Sequence, residues 1–108
     1  MDKTKLVKIG DEIMVTLLSE IKQITQPTIK YINENELTLE FIAYNYFWII
    51  INYEKGRITP IIVLGKNIIL KDLRVWKEET NLKQWVSDLD SEIKLRIPDK
   101  FLEVNEWN

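Results

Sequence analysis

The chain has 108 residues, 17 acidic and 15 basic side chains, a net charge of −2, and no Cys or His. One domain spanning residues 1–108 fits that length. The two absences exclude disulfides, Cys/His zinc sites, thiol nucleophiles and every scheme that needs an imidazole base. A slightly acidic balance also speaks against a general nucleic-acid binder, which draws its affinity from neutralised phosphates.

The N-terminal segment reads as a helix. Leu6, Ile9, Ile13, Met14, Leu17, Leu18, Ile21 and Ile24 fall on one arc at 100° per residue. Gly10 lies on the same arc, where it weakens a helix unless a neighbour packs close. Asp11 offers an alternative start, as a good N-cap. Pro27 closes the segment.

The period then changes to two. A short strand is expected at Thr28–Ile32, and Leu37 to Ala43 alternate as a half-buried strand. Tyr46–Tyr53 is apolar on both faces and should lie centrally, with Trp48 in the core. Glu54-Lys55-Gly56 turns the chain into Arg57–Leu64, where Pro60 suggests an edge or a bulge. Gly65-Lys66-Asn67 turns again into Ile68–Leu70. The last element is a helix from Asn81, which has Gln84 at capping-box spacing. Leu82, Trp85, Val86, Leu89, Ile93 and Ile97 form its apolar stripe, and Pro98 stops it. The expected fold is α+β: an N-terminal helix, an antiparallel meander of four to five strands and a C-terminal helix, both helices on one sheet face.

Chemistry is hard to place. Asp88, Asp90 and Glu92 alternate as in a calcium loop, but Ile93 stands where such a loop needs Gly. On a helix, Asp88 and Asp90 also point about 200° apart. Ser19, Ser87 and Ser91 sit on predicted helix exteriors without a base, and Gly10, Gly56 and Gly65 are isolated. Glu40, on a strand, is the remaining carboxylate of interest. Expected, therefore, is a protein that is not an enzyme, with no catalytic residue, cofactor or metal site. Tyr44 and Tyr46 flank Asn45 at a strand connection and could stack on bases, but no basic groove accompanies them.

Residues 78–108 hold 8 acids against 4 bases, while residues 1–77 hold 9 acids against 11 bases. Within this acidic end, Asp88 and Glu92 edge the helix stripe, with Leu95 beside them. A partner-docking edge or ordinary pairing of Glu92 with Arg96 and of Asp90 with Lys94 would both produce this pattern. Trp76 and Trp107 fall outside the strong patterns, next to acids. Each can be an interface anchor or close an end of the core.

Trp85-Val86-Ser87-Asp88-Leu89, then Glu92 through Leu102 with Pro98 and Asp99, then Trp107, resemble the C-terminal signature of small bacterial immunity proteins. These belong to contact-dependent growth inhibition and related polymorphic-toxin systems. Where that signature has Gly before the final Trp, this chain has Glu106. The resemblance implies stoichiometric neutralisation of a cognate secreted toxin domain, with a nuclease, tRNA-directed nucleases included, as the expected kind. Partner-binding residues would be Asp88, Glu92, Asp99, Glu103 and Glu106, with Trp76 and Trp107 as anchors. The expected complex is 1:1 in the cytoplasm, with a toxin of basic surface and without direct contact to nucleic acid or membrane. A second reading is a small secretion chaperone or adaptor, dimeric and using a strand edge or the N-terminal helix. A third, a carboxylate enzyme, would rest on Glu40, Asp88 and Glu92.

Overall fold

The computed structural model describes residues 3–107. Helix α1 spans Lys3–Glu20 and buries Leu6, Gly10, Ile13 and Leu17, the i, i+4, i+7, i+11 face. Gly10 is inside the helix, so Asp11 does not start it. A Cβ at Gly10 would stand 2.8 Å from Leu37 Cδ2, so the missing side chain is what lets α1 approach the sheet. The helix ends before the apolar arc does. Ile24 instead forms an isolated bridge with Ala43, and a backbone bond from Tyr44 N–H to the Gln23 carbonyl holds the segment there.

Five strands follow as an antiparallel meander in sequence order: β1 Thr28–Ile32, β2 Glu36–Ala43, β3 Phe47–Glu54, β4 Arg57–Val63 and β5 Asn67–Ile69. Lys55 and Gly56, both at positive φ, make the two-residue β3–β4 turn. A sixth strand, β6 Val75–Trp76, pairs with the first residues of β4. Strands β5 and β6 thus share one edge of β4, separated by a 3₁₀ turn at Lys71–Leu73. Pro60 lies at their junction. Its carbonyl accepts from Leu70 N–H, so its missing donor faces the gap rather than a ladder.

Helix α2, Leu82–Leu95, is capped by Asn81, whose side chain accepts from Gln84 N–H at 3.0 Å. A further short helix, α3, covers Asp99–Val104 beyond Pro98. Leu37, Leu39, Phe41 and Ala43 of β2, Phe47, Ile49, Ile51 and Tyr53 of β3, and Ile58 and Ile62 of β4 share one core with both long helices. The Trp85 indole donates to the Leu73 carbonyl at 2.8 Å and fastens the 3₁₀ turn to α2. The architecture is the expected two-layer α+β sandwich. Among the described residues no helix covers the other face of the sheet.

Candidate functional site

The uncovered sheet face is built from the alternate positions of the same strands. Cross-strand registry sets its side chains in rows. One row holds Ile42, Trp48, Val63 and Asn67. The next holds Glu40, Ile50, Ile61 and Ile69. Thr38, Asn52 and Thr59 form a polar row, and Glu36, Glu54, Arg57 and Trp76 the last. Trp48 is 47% exposed and Trp76 48% exposed, with Ile42 and Ile69 similarly open. Trp48 is therefore not a core residue, contrary to the reading of its strand as buried on both sides. A strand apolar on both faces does lie in the middle of the sheet, but only one of those faces is covered.

The polar groups on this face are largely satisfied. Lys30 pairs with Glu40 at 3.0 Å, and the Asn52 amide donates to Glu36 Oε2 at 2.9 Å. Two shallow depressions of about 400 Å³ each interrupt the face. One is floored by Ile50, Ile61 and Ile69, the other by Ile42 and Trp48. Apolar floors with a polar rim are the composition of a protein-docking surface.

The acidic residues lie elsewhere, on the helical layer. Asp88 is exposed and accepts from the Gln84 amide at 2.9 Å. Glu92 is paired with Arg96 at 3.0 Å, and Asp90 with Lys94 at 3.3 Å. Asp99 and Glu103 are exposed on α3 and Glu106 just beyond it, none with an ion pair among the described residues. Leu95, 77% exposed, and Val104, 76% exposed, stand among them. Glu106 holds φ at +59°, the left-handed conformation that Gly favours, and its carbonyl accepts from Lys22 Nζ at 2.7 Å.

The two tryptophans separate. Trp76 stands in the row with Arg57 on the open sheet face, while neighbouring Val75 packs on the core. Trp107 is half-buried against Tyr44 and Phe101, with ring centroids 5.7 and 6.0 Å away. It closes the end of the core where α3 meets the β2–β3 turn. The predicted acids thus share the helical layer with Trp107, and Trp76 lies on the opposite face. Ile42 stands on the face where the alternation of its strand puts it, and the sequence assigns Ile61 and Ile69 to neither face. Trp48 and Ile50 are the surface residues that sequence reasoning placed in a central strand, Trp48 in its core. The signal for them was present: the second apolar face of β3 had no second apolar helix layer to meet it.

Tyr44 is fully buried, although the sequence placed it at a connection available for stacking. Its hydroxyl donates to Asp90 Oδ1 at 2.5 Å, and Lys94 Nζ lies 5.6 Å from its ring centroid. Burial, reinforced by the hydrogen bond to the Asp90 carboxylate, pushes the Tyr44 phenol well above its ordinary range. This group is internal bracing. Among the described residues, no three carboxylates gather into a metal-binding group, and no helix is long and apolar enough to cross a membrane. Comparison with family models, with curated proteins and with solved structures finds no match to the chain.

Proposed function

We propose that this chain is an immunity protein: a stoichiometric inhibitor that binds a cognate secreted toxin domain, a nuclease being the expected kind. The observation that carries the reading is the uncovered sheet face, where Trp48, Ile42 and Ile69 stand exposed around half-buried Ile50 and Ile61. Exposed apolar side chains grouped in this way within a polar rim mark a protein-docking surface. Asp88, Asp99 and Glu103, none in an ion pair among the described residues, lie around exposed Leu95 and Val104 and supply a negative field suited to a nuclease's basic surface. Glu106 adds a second line of support. It holds a glycine-type backbone at the position where the immunity-protein signature carries Gly.

The secretion-chaperone or adaptor reading finds less support. Edge strand β1 has a register irregularity between Ile29 and Tyr31, with Lys30 in it. A charged bulge of that kind discourages strand addition.

Co-expression with the product of the adjacent upstream gene tests the proposal. The expected result is a 1:1 complex by light scattering and relief of that product's toxicity. In the same assay Trp48→Asp is expected to weaken binding roughly 30-fold or more, as loss of an interface anchor does. Separate elution of the two proteins, or a harmless neighbour, overturns the proposal. A dimer that captures unfolded segments favours the chaperone instead.

A further inference from the structure

At one end of the open sheet face the charge reverses. Arg57 begins β4, opposite Glu54 on one side and Trp76 on the other. Its guanidinium carbon lies 4.8 Å from the Trp76 ring centroid. Its Nε is buried and has no hydrogen-bond partner among the described residues. Arg74 is exposed just before β6 and has no ion pair among the described residues. Both arginines and Lys55 line a cleft of about 220 Å³ in which Glu54 is the only acid among the described residues. Through Asn52, Thr59 and Arg74 this cleft joins the apolar trough over Ile50, Ile61 and Ile69.

Stacking on an indole uses the face of a guanidinium and leaves its donors in the plane. Those donors match a carboxylate, which accepts two parallel hydrogen bonds from an arginine. A buried N–H without an acceptor is unfavourable, so an incoming oxyanion that reaches Arg57 removes a standing penalty. The apolar trough beside the cationic cleft asks for an uncharged group next to the anion. Glu54 disfavours a dianion more than a monoanion. Both depressions lie on a sheet surface, too open to enclose a free small ligand.

We propose that this end of the open face takes an acidic side chain of the docked partner, presented beside an apolar residue. Arg57 and Arg74 hold the carboxylate, and Ile50, Ile61 and Ile69 receive the apolar group. The inference rests on the open face being the docking surface, and it adds the chemistry of one anchor.

Sodium hexanoate is the probe, titrated into the intact chain with the Arg57 Nε–H and Trp76 indole N–H followed by NMR. Both signals are expected to shift saturably, with a millimolar constant, while hexanamide leaves them in place. Arg57→Lys, which keeps the charge but loses the planar fork, is expected to weaken the response at least tenfold. Arg74→Gln, at an exposed position that leaves the core intact, is expected to weaken it several-fold. Shifts equalled by sodium chloride or by hexanamide, or unchanged in both variants, overturn the site. Tighter binding of inorganic phosphate overturns the carboxylate assignment, and a micromolar constant for hexanoate overturns the assignment to a partner's side chain. No toxin is needed in this titration. A null result therefore removes the anchor and leaves the co-purification result standing. Loss of the complex with hexanoate binding intact does the reverse.

Discussion

Tyr44 shows how a single residue can be misplaced by its neighbours in sequence. It and Asn45 both have positive φ, at 55° and 53°, and Tyr46 N–H closes their turn on the Ala43 carbonyl at 2.9 Å. That is a type I′ geometry, costly for a residue with a Cβ. The buried ring and the hydroxyl bond to Asp90 offset the strain. Tyr44→Phe is expected to lower stability by about 1–2 kcal/mol at neutral pH, measured by denaturant unfolding. The phenol is raised in the folded state, so its contribution is complete below about pH 10, the unfolded value, and is lost as pH climbs further. Tyr44→Phe should therefore flatten the alkaline decline in stability. Tyr53, raised by burial and by the Glu78 charge, keeps part of that decline. Gly10 supports a second test. Ala there gains about 1 kcal/mol of helix propensity but meets Leu37 Cδ2, and overpacking a core typically costs about 1–3 kcal/mol. Gly10→Ala is expected to destabilise on balance. Combined with Leu37→Val, which lacks that δ-carbon, it should cost less than the two single changes summed. The sequence disclosed that Gly10 needed a close neighbour. It could not disclose which one, because Leu37 is 27 positions away in the chain.

Elements with a sustained period or bounded by turn residues were legible, and those with neither were not. Alternation located β2, an apolar β-branched run β3, the Glu54-Lys55-Gly56 and Gly65-Lys66-Asn67 turns β4 and β5, and the 3.6-residue stripe both long helices with the Asn81 cap. Strand β6 is two residues long and helix α3 six, too short for either period to register. Helix α1 also stops before its apolar arc does. Ile21 and Ile24 serve the same core from a non-helical segment, and a sequence period cannot tell those cases apart. A six-residue helix does not persist in water by its own propensity. Helix α3 is held through buried Leu102 and through Phe101, which meets Tyr46 at 5.0 Å and Trp107 at 6.0 Å between ring centroids. Trp107→Ala should therefore act on an element rather than on the whole fold. Its expected cost is about 2–3 kcal/mol, below that of a fully buried Trp because the residue is half-exposed. Amide exchange across Asp99–Val104 should rise sharply while α2 keeps its protection. Equal loss of protection in both helices would show that α3 unfolds only with the core.

At the scale of the molecule, two surfaces of different chemistry lie on opposite sides of a body measuring 45 × 27 × 24 Å. The sheet side carries exposed Trp48, Trp76, Ile42 and Ile69, and the helical side carries exposed Asp88, Asp99 and Glu103. The helical layer that carries those acids lies on the far side of the sheet from a partner seated on the open face. Their action on such a partner is through the field, which is screened over about 8 Å at physiological ionic strength. Steering of that kind enters the association rate, whereas desolvated apolar contacts enter the dissociation rate. The two sets of residues should therefore separate kinetically. Charge reversal at Asp88, Asp99 and Glu103 together is expected to slow association several-fold at low salt, with little change in dissociation. The difference should fade as salt rises. Trp48→Asp should do the opposite, speeding dissociation about 30-fold or more while association holds within a factor of a few. Both variants should keep the parent's thermal midpoint within a few degrees, because neither set lies in the core. Stopped-flow binding at two salt concentrations measures all four quantities. Acid reversals that act mainly on dissociation would move the interface to α2 and α3. The open sheet face would then be left without its partner.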